Sequence, residues 1–138
     1  MPPQTDHASL HLHLLPDTYF LVQLGHDAPL PAPLLARLQR PGPFLSLTRT
    51  PDEVSVVGAS IAGEDDAYAA DWRCIKIAGP MDLGLTGIMA DFTAPLKSAA
   101  IPVFALSTWN TDYVLVPKDK AEAAVRVLTD DGWKFVEP

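Results

Sequence analysis

Residues 77–92, IAGPMDLGLTGIMADF, close a strand-like run at Gly79-Pro80 and set Gly84 and Gly87 around Leu85-Thr86 as a helical pattern begins. A helix start presents unpaired backbone N–H groups and a partial positive charge, and glycines let a ligand approach them closely. An anion therefore fits at this helix start. A phosphate loop would add a lysine followed by Ser or Thr. Residues 79–87 hold no basic side chain, so a carboxylate suits them better than a polyphosphate. The competing reading is a plain turn at Gly79-Pro80, with Gly84 and Gly87 easing packing at the helix start.

A second group lies in STWNTDYVLV, residues 107–116, where Ser107, Thr108, Trp109, Asn110, Thr111 and Asp112 separate two apolar strands. In a split βαβ unit the loop after the first strand and the far end of the second strand share one end of the sheet. Amide donors, a fixed negative charge and an apolar wall would then meet. That combination suits a small zwitterion, its carboxylate on the N–H groups and its cationic group near Asp112 or Asp82. Taken singly, Asp112 reads as a turn-capping carboxylate and Trp109 as a packing residue.

Other chemistries are less well served. His11 and His13 share one strand face, with His7 or His26 as a third metal ligand, but a solvated face opposite Leu10, Leu12 and Leu14 is the simpler reading. Cys74 sits in an apolar run and reads as a core residue. Glu64-Asp65-Asp66 reads as a solvated loop or helix start. Ser107 and Thr108 have no histidine near them in sequence, so no triad is indicated, and no arginine lies in the glycine loop as an acylphosphatase-like site would need. A non-enzyme without cofactor or metal is expected.

The elements that must position these groups follow from the bulk chain. Its 138 residues are 48% hydrophobic, enough for one sizeable core or two small ones. With 17 acidic against 10 basic residues the net charge is −7, which repels nucleic acid and anionic membrane surfaces. A lone cysteine excludes an intrachain disulfide and fits the cytoplasm. MPPQTDHASL lacks a leader's basic start and apolar run, and no apolar stretch reaches the roughly 20 residues of a membrane span.

Alternation predicts strands at 9–14 and 19–24, a short helix at 34–38, and strands at 44–47 and 54–57. A strand at 72–78, a helix at about 86–99 and strands at 101–107 and 113–116 follow. A helix at 118–130, ended by Gly132, and a strand at 133–136 complete the chain. Ile88, Met89, Phe92 and Leu96 mark one face of the first long helix, which Pro95 should kink; Ala121, Ala124, Val125 and Leu128 mark the inner face of the second. The halves repeat. DTYFLVQLG from Asp17 aligns with DWRCIKIAG from Asp71, an offset of 54, and LTRTPDEVSVV from Leu47 aligns with LSTWNTDYVLV from Leu106, an offset of 59. Each copy reads β-α-β-β-α-β. The fold class is thus α+β, two tandem ferredoxin-like units at 8–70 and 71–138 that pack together.

WRCIKIAGPMDLGLTGIMADFTAPLKSAAIPVFALSTWNTDYVLVPKD, residues 72–119, resembles the C-terminal half of the small bacterial tandem ACT-domain proteins related to the eukaryotic cytosolic arginine sensor. LLPDTYFLVQL and GPFLSLTRTPDEVSVV are similar to the first half of that family. The resemblance implies ACT-like ferredoxin folds, a homodimer, and an amino acid bound where the loop after the first strand meets a neighbouring ACT unit. Met81 to Gly87 would then be the loop, and Thr108, Trp109, Thr111 and Asp112 the strand contribution. The first copy departs from the pattern, since GHDAPLPAP carries prolines where the second copy has Gly84 and Gly87, and reads as a packing partner rather than a complete site. The alternative is a protein–protein interaction module with no ligand.

Overall fold

The computed structural model describes residues 8–64, 67–80 and 87–138. The chain forms two compact units. The larger joins the residues up to Pro16 to Arg73–Pro138, and the smaller is Asp17–Trp72. These limits differ from 8–70 and 71–138 at the N-terminus, because Leu10 and Leu12 are buried in the core of the larger unit.

The expected strands at 9–14 and 19–24 are one strand, β1, Leu12–Gly25, preceded by a 3-10 turn at Ala8–Leu10. Pro16 does not break it: Pro16 and Asp17 are its exposed stretch, where a missing N–H costs little. In the smaller unit follow α1, Ala32–Leu38, β2, Leu45–Arg49, and β3, Glu53–Ala59. β3 pairs antiparallel with both β1 and β2. Phe20, Leu34, Val54 and Val56 form its core. The helix expected after β3 is absent among the described residues. Tyr68 instead covers that core, its ring 5.0 Å from that of Phe20, so an aromatic side chain supplies the apolar cover a helix would have given.

The larger unit continues with β4, Trp72–Ile77, α2, Ile88–Ser98, β5, Phe104–Ser107, β6, Asp112–Pro117, and α3, Ala121–Asp130. Its strand order is β1-β4-β6-β5, with β5 and β6 antiparallel. The period-3.6 faces land as their spacing requires. Phe92 and Leu96 of α2 and Ala121, Ala124 and Leu128 of α3 are buried with Ile75, Ile77, Val114 and Val116, while Ile88 and Met89 pack at the rim. Val125, expected inward, is only half-buried. α2 runs through Pro95, with the Thr93 hydroxyl donating to the Met89 carbonyl at 2.9 Å one turn earlier. Gly132, at φ +106°, lets Trp133 N–H return to the Leu128 carbonyl at 3.0 Å. Trp133 is then buried edge-on to Phe92, ring centroids 5.4 Å apart. The strand expected at 133–136 is a single parallel bridge, Leu12 to Phe135.

The gap-free repeat is out of step by one residue. Thr50 N–H donates to the Glu53 carbonyl at 2.9 Å, and Thr108 N–H donates to the Thr111 carbonyl at 2.9 Å, so the hairpins correspond at 108 minus 50, an offset of 58 rather than 59. Strand side chains alternate, so a shift of one exchanges the two faces. Val54 and Val56 face their core, and Val114 and Val116 face theirs, whereas the gap-free alignment had set Val54 and Val56 on Tyr113 and Leu115.

Candidate functional site

Strand β4 runs out through Ala78 into Gly79 and Pro80, joined by a cis peptide, with Gly79 at φ +67°. Gly79 backs onto the β5–β6 turn. A Cβ at this position would lie 2.9 Å from the Thr111 Cβ and 3.3 Å from the Asn110 carbonyl oxygen. Glycine alone supplies both the left-handed backbone and that approach. Thr111 closes the contact from the hairpin side: it is 3% exposed, and its hydroxyl donates to the Ile77 carbonyl at 2.8 Å. The Thr108 hydroxyl in turn donates to the Thr111 carbonyl at 3.1 Å, fixing the turn.

Beside this contact lies a mainly polar cleft of about 290 Å³. Lys76, Ala78 and Pro80 line it from β4, and Thr108, Asn110, Thr111 and Tyr113 from the hairpin. The period of two explains the membership. Ile75 and Ile77 point into the helix-side core, so Cys74, Lys76 and Ala78 occupy the opposite face; Val114 and Val116 do the same for Tyr113. The Lys76 ammonium stands 5.9 Å from the centre of the Tyr113 ring. Burial pushes the Cys74 thiol up to about 12, with the Lys76 charge opposing, so the sulfur is a neutral core group, as its apolar surroundings predicted. Burial also raises the Tyr113 phenol, and the neighbouring Cys74 adds to it.

Of the residues singled out in the sequence, Thr108 and Thr111 line the cleft. Trp109 is 83% exposed. Asp112 shares the face of Val114, and its carboxylate accepts from the Ser107 hydroxyl rather than lining the cleft. Gly87 caps α2 with a left-handed φ of +80°. Met81, Asp82, Leu83, Gly84, Leu85 and Thr86 lie outside the described residues. Asn110, named in the hairpin group, also lines the cleft, whereas Lys76, Ala78, Pro80 and Tyr113 were missed. The signal for Lys76 was present in RCIKI, where one charged residue alternates with two isoleucines that must face a core. His13, half-buried, places Nδ1 3.0 Å from the Val136 carbonyl, and among the described residues no group of three or more His, Cys, Asp or Glu could hold a metal.

A match to the ACT domain covers residues 68–130. Residues 68–130 are thus similar to an ACT domain. The cleft-lining residues 76–113 all fall inside it. Over 58 residues the chain is 38% identical to the human cytosolic arginine sensor for mTORC1 subunit 1, a match covering 41% of this chain and 18% of that protein. The chain thus spans under a fifth of the length of that relative, on the 18% it covers. The Agrobacterium tumefaciens protein Atu0741 is similar along nearly its whole length, with 28% identity, a TM-score of 0.76, and coverage of 93% of this chain and 92% of that one. The ligand-free regulatory subunit of Thermus thermophilus aspartate kinase shares the fold at 15% identity, with a TM-score of 0.66 and coverage of 91% and 99%. The fold class is α+β in two tandem units: the larger carries the ACT match, and the smaller has the β-α-β-β part of the ferredoxin-like pattern among the described residues. No helix among the described residues is long and apolar enough to cross a membrane.

Proposed function

We propose that this chain is a non-enzymatic regulatory protein that binds a free amino acid at its ACT domain. The ligand sits between the loop after β4 and the β5–β6 hairpin, against a neighbouring ACT unit of a homodimer. One observation carries the reading: Gly79 seats the start of the loop on Thr111, and an amino-acid-sized polar cleft opens beside that contact. Its volume of about 290 Å³ is at the small end for ligand pockets, as one amino acid requires. The likeness to a protein named as an arginine sensor supports the ligand class. In this proposal backbone N–H groups of residues 83–87 hold the ligand carboxylate, Thr108 and Thr111 form the hairpin wall, and the exposed Trp109 indole closes over the bound molecule. Asp112 acts indirectly, setting the shape of the turn through Ser107. The smaller unit, with prolines in its loop, carries no complete site of its own.

A thermal-shift panel of the twenty amino acids tests this. A ligand at a hundredfold excess over its Kd should stabilise the fold by about 2.7 kcal/mol. If none of the twenty moves the melting temperature while light scattering reports an intact dimer, the amino-acid reading fails and a ligand-free interaction module takes its place.

A further inference from the structure

We propose that a second copy of this chain joins along the outer edge of β5, the two strands pairing antiparallel about a two-fold axis. The inference rests on the homodimer named above and supplies its surface. β5 is the last strand in the larger unit's order, and among the described residues nothing pairs with its outer side. Thr108 N–H donates to the Thr111 carbonyl at 2.9 Å, so Thr108, Leu106 and Phe104 direct their backbone groups at β6. Val103, Ala105 and Ser107 direct theirs outward, and all three are exposed. Pro102 lies before the strand, where the same alternation turns its missing N–H inward. An open edge is a template for another strand unless charge blunts it. β2, the outer strand of the smaller unit, ends in the exposed Arg49, whereas β5 carries no charged residue.

Charge favours a second copy as the partner. A chain of net charge −7 repels its own kind, so two copies meet most favourably where neither carries charge. Residues 98–111, from the end of α2 through β5 to the hairpin turn, are the longest stretch without Asp, Glu, Lys or Arg. Lys97 precedes that stretch and Asp112 follows it, so antiparallel pairing sets the positive end of one copy against the negative end of the other. The shapes agree as well. With Ala105 on the axis, Val103 faces Ser107 of the other copy and Ile101 faces its Trp109. Ile101 lines a mainly apolar groove of about 520 Å³ with Thr93, Lys97, Ala100, Pro102 and Val103. Trp109 is an indole 83% exposed at the hairpin tip. Ala100 adds its methyl to the groove from a left-handed φ of +56°, a conformation that glycine adopts at less cost. Each copy thus offers one apolar knob and one apolar hole, and a single two-fold axis fills both. An indole has two faces, and the one turned from the groove stays available to the cleft.

Sedimentation velocity of the full chain over a dilution series tests the surface. The wild type should run as a dimer that dissociates on dilution. Val103→Lys puts an ammonium on the outer edge, and Ala105→Pro removes an outward N–H while leaving the bonds to β6 in place. Each substitution occurs twice in a two-fold interface, so a loss of about tenfold per copy raises the dimer Kd about a hundredfold. Thr48→Lys, an exposed position on β2, should leave Kd unchanged. Circular dichroism checks that each variant folds; Val103 is exposed, so Val103→Lys decides alone if Ala105→Pro does not fold. A dimer that survives the β5 substitutions, or one that Thr48→Lys weakens as much, overturns the β5 edge and leaves the homodimer to another surface. A wild type that is monomeric at every concentration up to its solubility limit overturns both. The amino-acid panel is read separately by melting temperature, so its failure is distinct from either result.

Discussion

Replacing Gly79 by alanine probes the contact on which the site geometry depends. Two costs add at this position. A left-handed φ of +67° disfavours any residue with a Cβ by about 1–2 kcal/mol. The new methyl would also sit 2.9 Å from the Thr111 Cβ and 3.3 Å from the Asn110 carbonyl, neither of which is the far end of a flexible chain. Relieving that overlap requires the hairpin to move, at about 1–3 kcal/mol. Gly63 and Gly132 separate the two contributions. They have φ +84° and +106°, yet a Cβ on either meets nothing within 4 Å. Alanine at those sites should therefore bear only the backbone cost. Urea denaturation with a shared m-value gives the comparison, and Gly79→Ala should be the most destabilising of the three by at least 1 kcal/mol. Equal losses at all three sites would mean that the loop and hairpin are not in contact, and the cleft would lose its floor.

Alkaline stability should report Cys74. Its folded value is raised to about 12 from an ordinary 9.0, so stability is intact below pH 9 and falls as pH climbs toward 12, by about 1.4 kcal/mol per unit. Cys74→Ala should flatten most of that slope in denaturation midpoints taken at pH 8 to 11; an unchanged slope would mean that the thiol is not titrating within the fold. Arg37 is 5% exposed and donates to the Phe44 and Ala59 carbonyls at 3.3 and 3.2 Å. Arg37→Met should cost about 1–3 kcal/mol by removing a buried charged donor from both carbonyls, although that of Phe44 keeps the Ala59 N–H at 3.0 Å, and a loss below 0.5 kcal/mol in urea would show that water replaces the guanidinium.

The helix faces of the larger unit were legible because Phe92, Leu96, Ala124 and Leu128 recur at steps of three and four, and that period has few competing readings. The two-unit architecture followed from the repeat, and Cys74 as a core residue from its neighbours. The missing helix of the smaller unit was hidden because Tyr68 covers the core from a segment with no helical period. The union of two expected strands across Pro16 was hidden because a proline's effect depends on whether its side of the strand needs a donor, which only the pairing shows.

Residue order by itself determined which segments bury an apolar face, where glycine permits an unusual turn, and that loop 81–87 contains no lysine. Tertiary structure alone decided which polar groups meet. A strand's two faces differ by a single step along the chain, and the hydrogen-bonded turns fixed that step one residue away from where matching letters had put it. Asp112 thereby shares the face of Val114, while Lys76, whose own strand alternation already set it opposite Ile75 and Ile77, lines the cleft with the hairpin residues only because the strands are paired side by side.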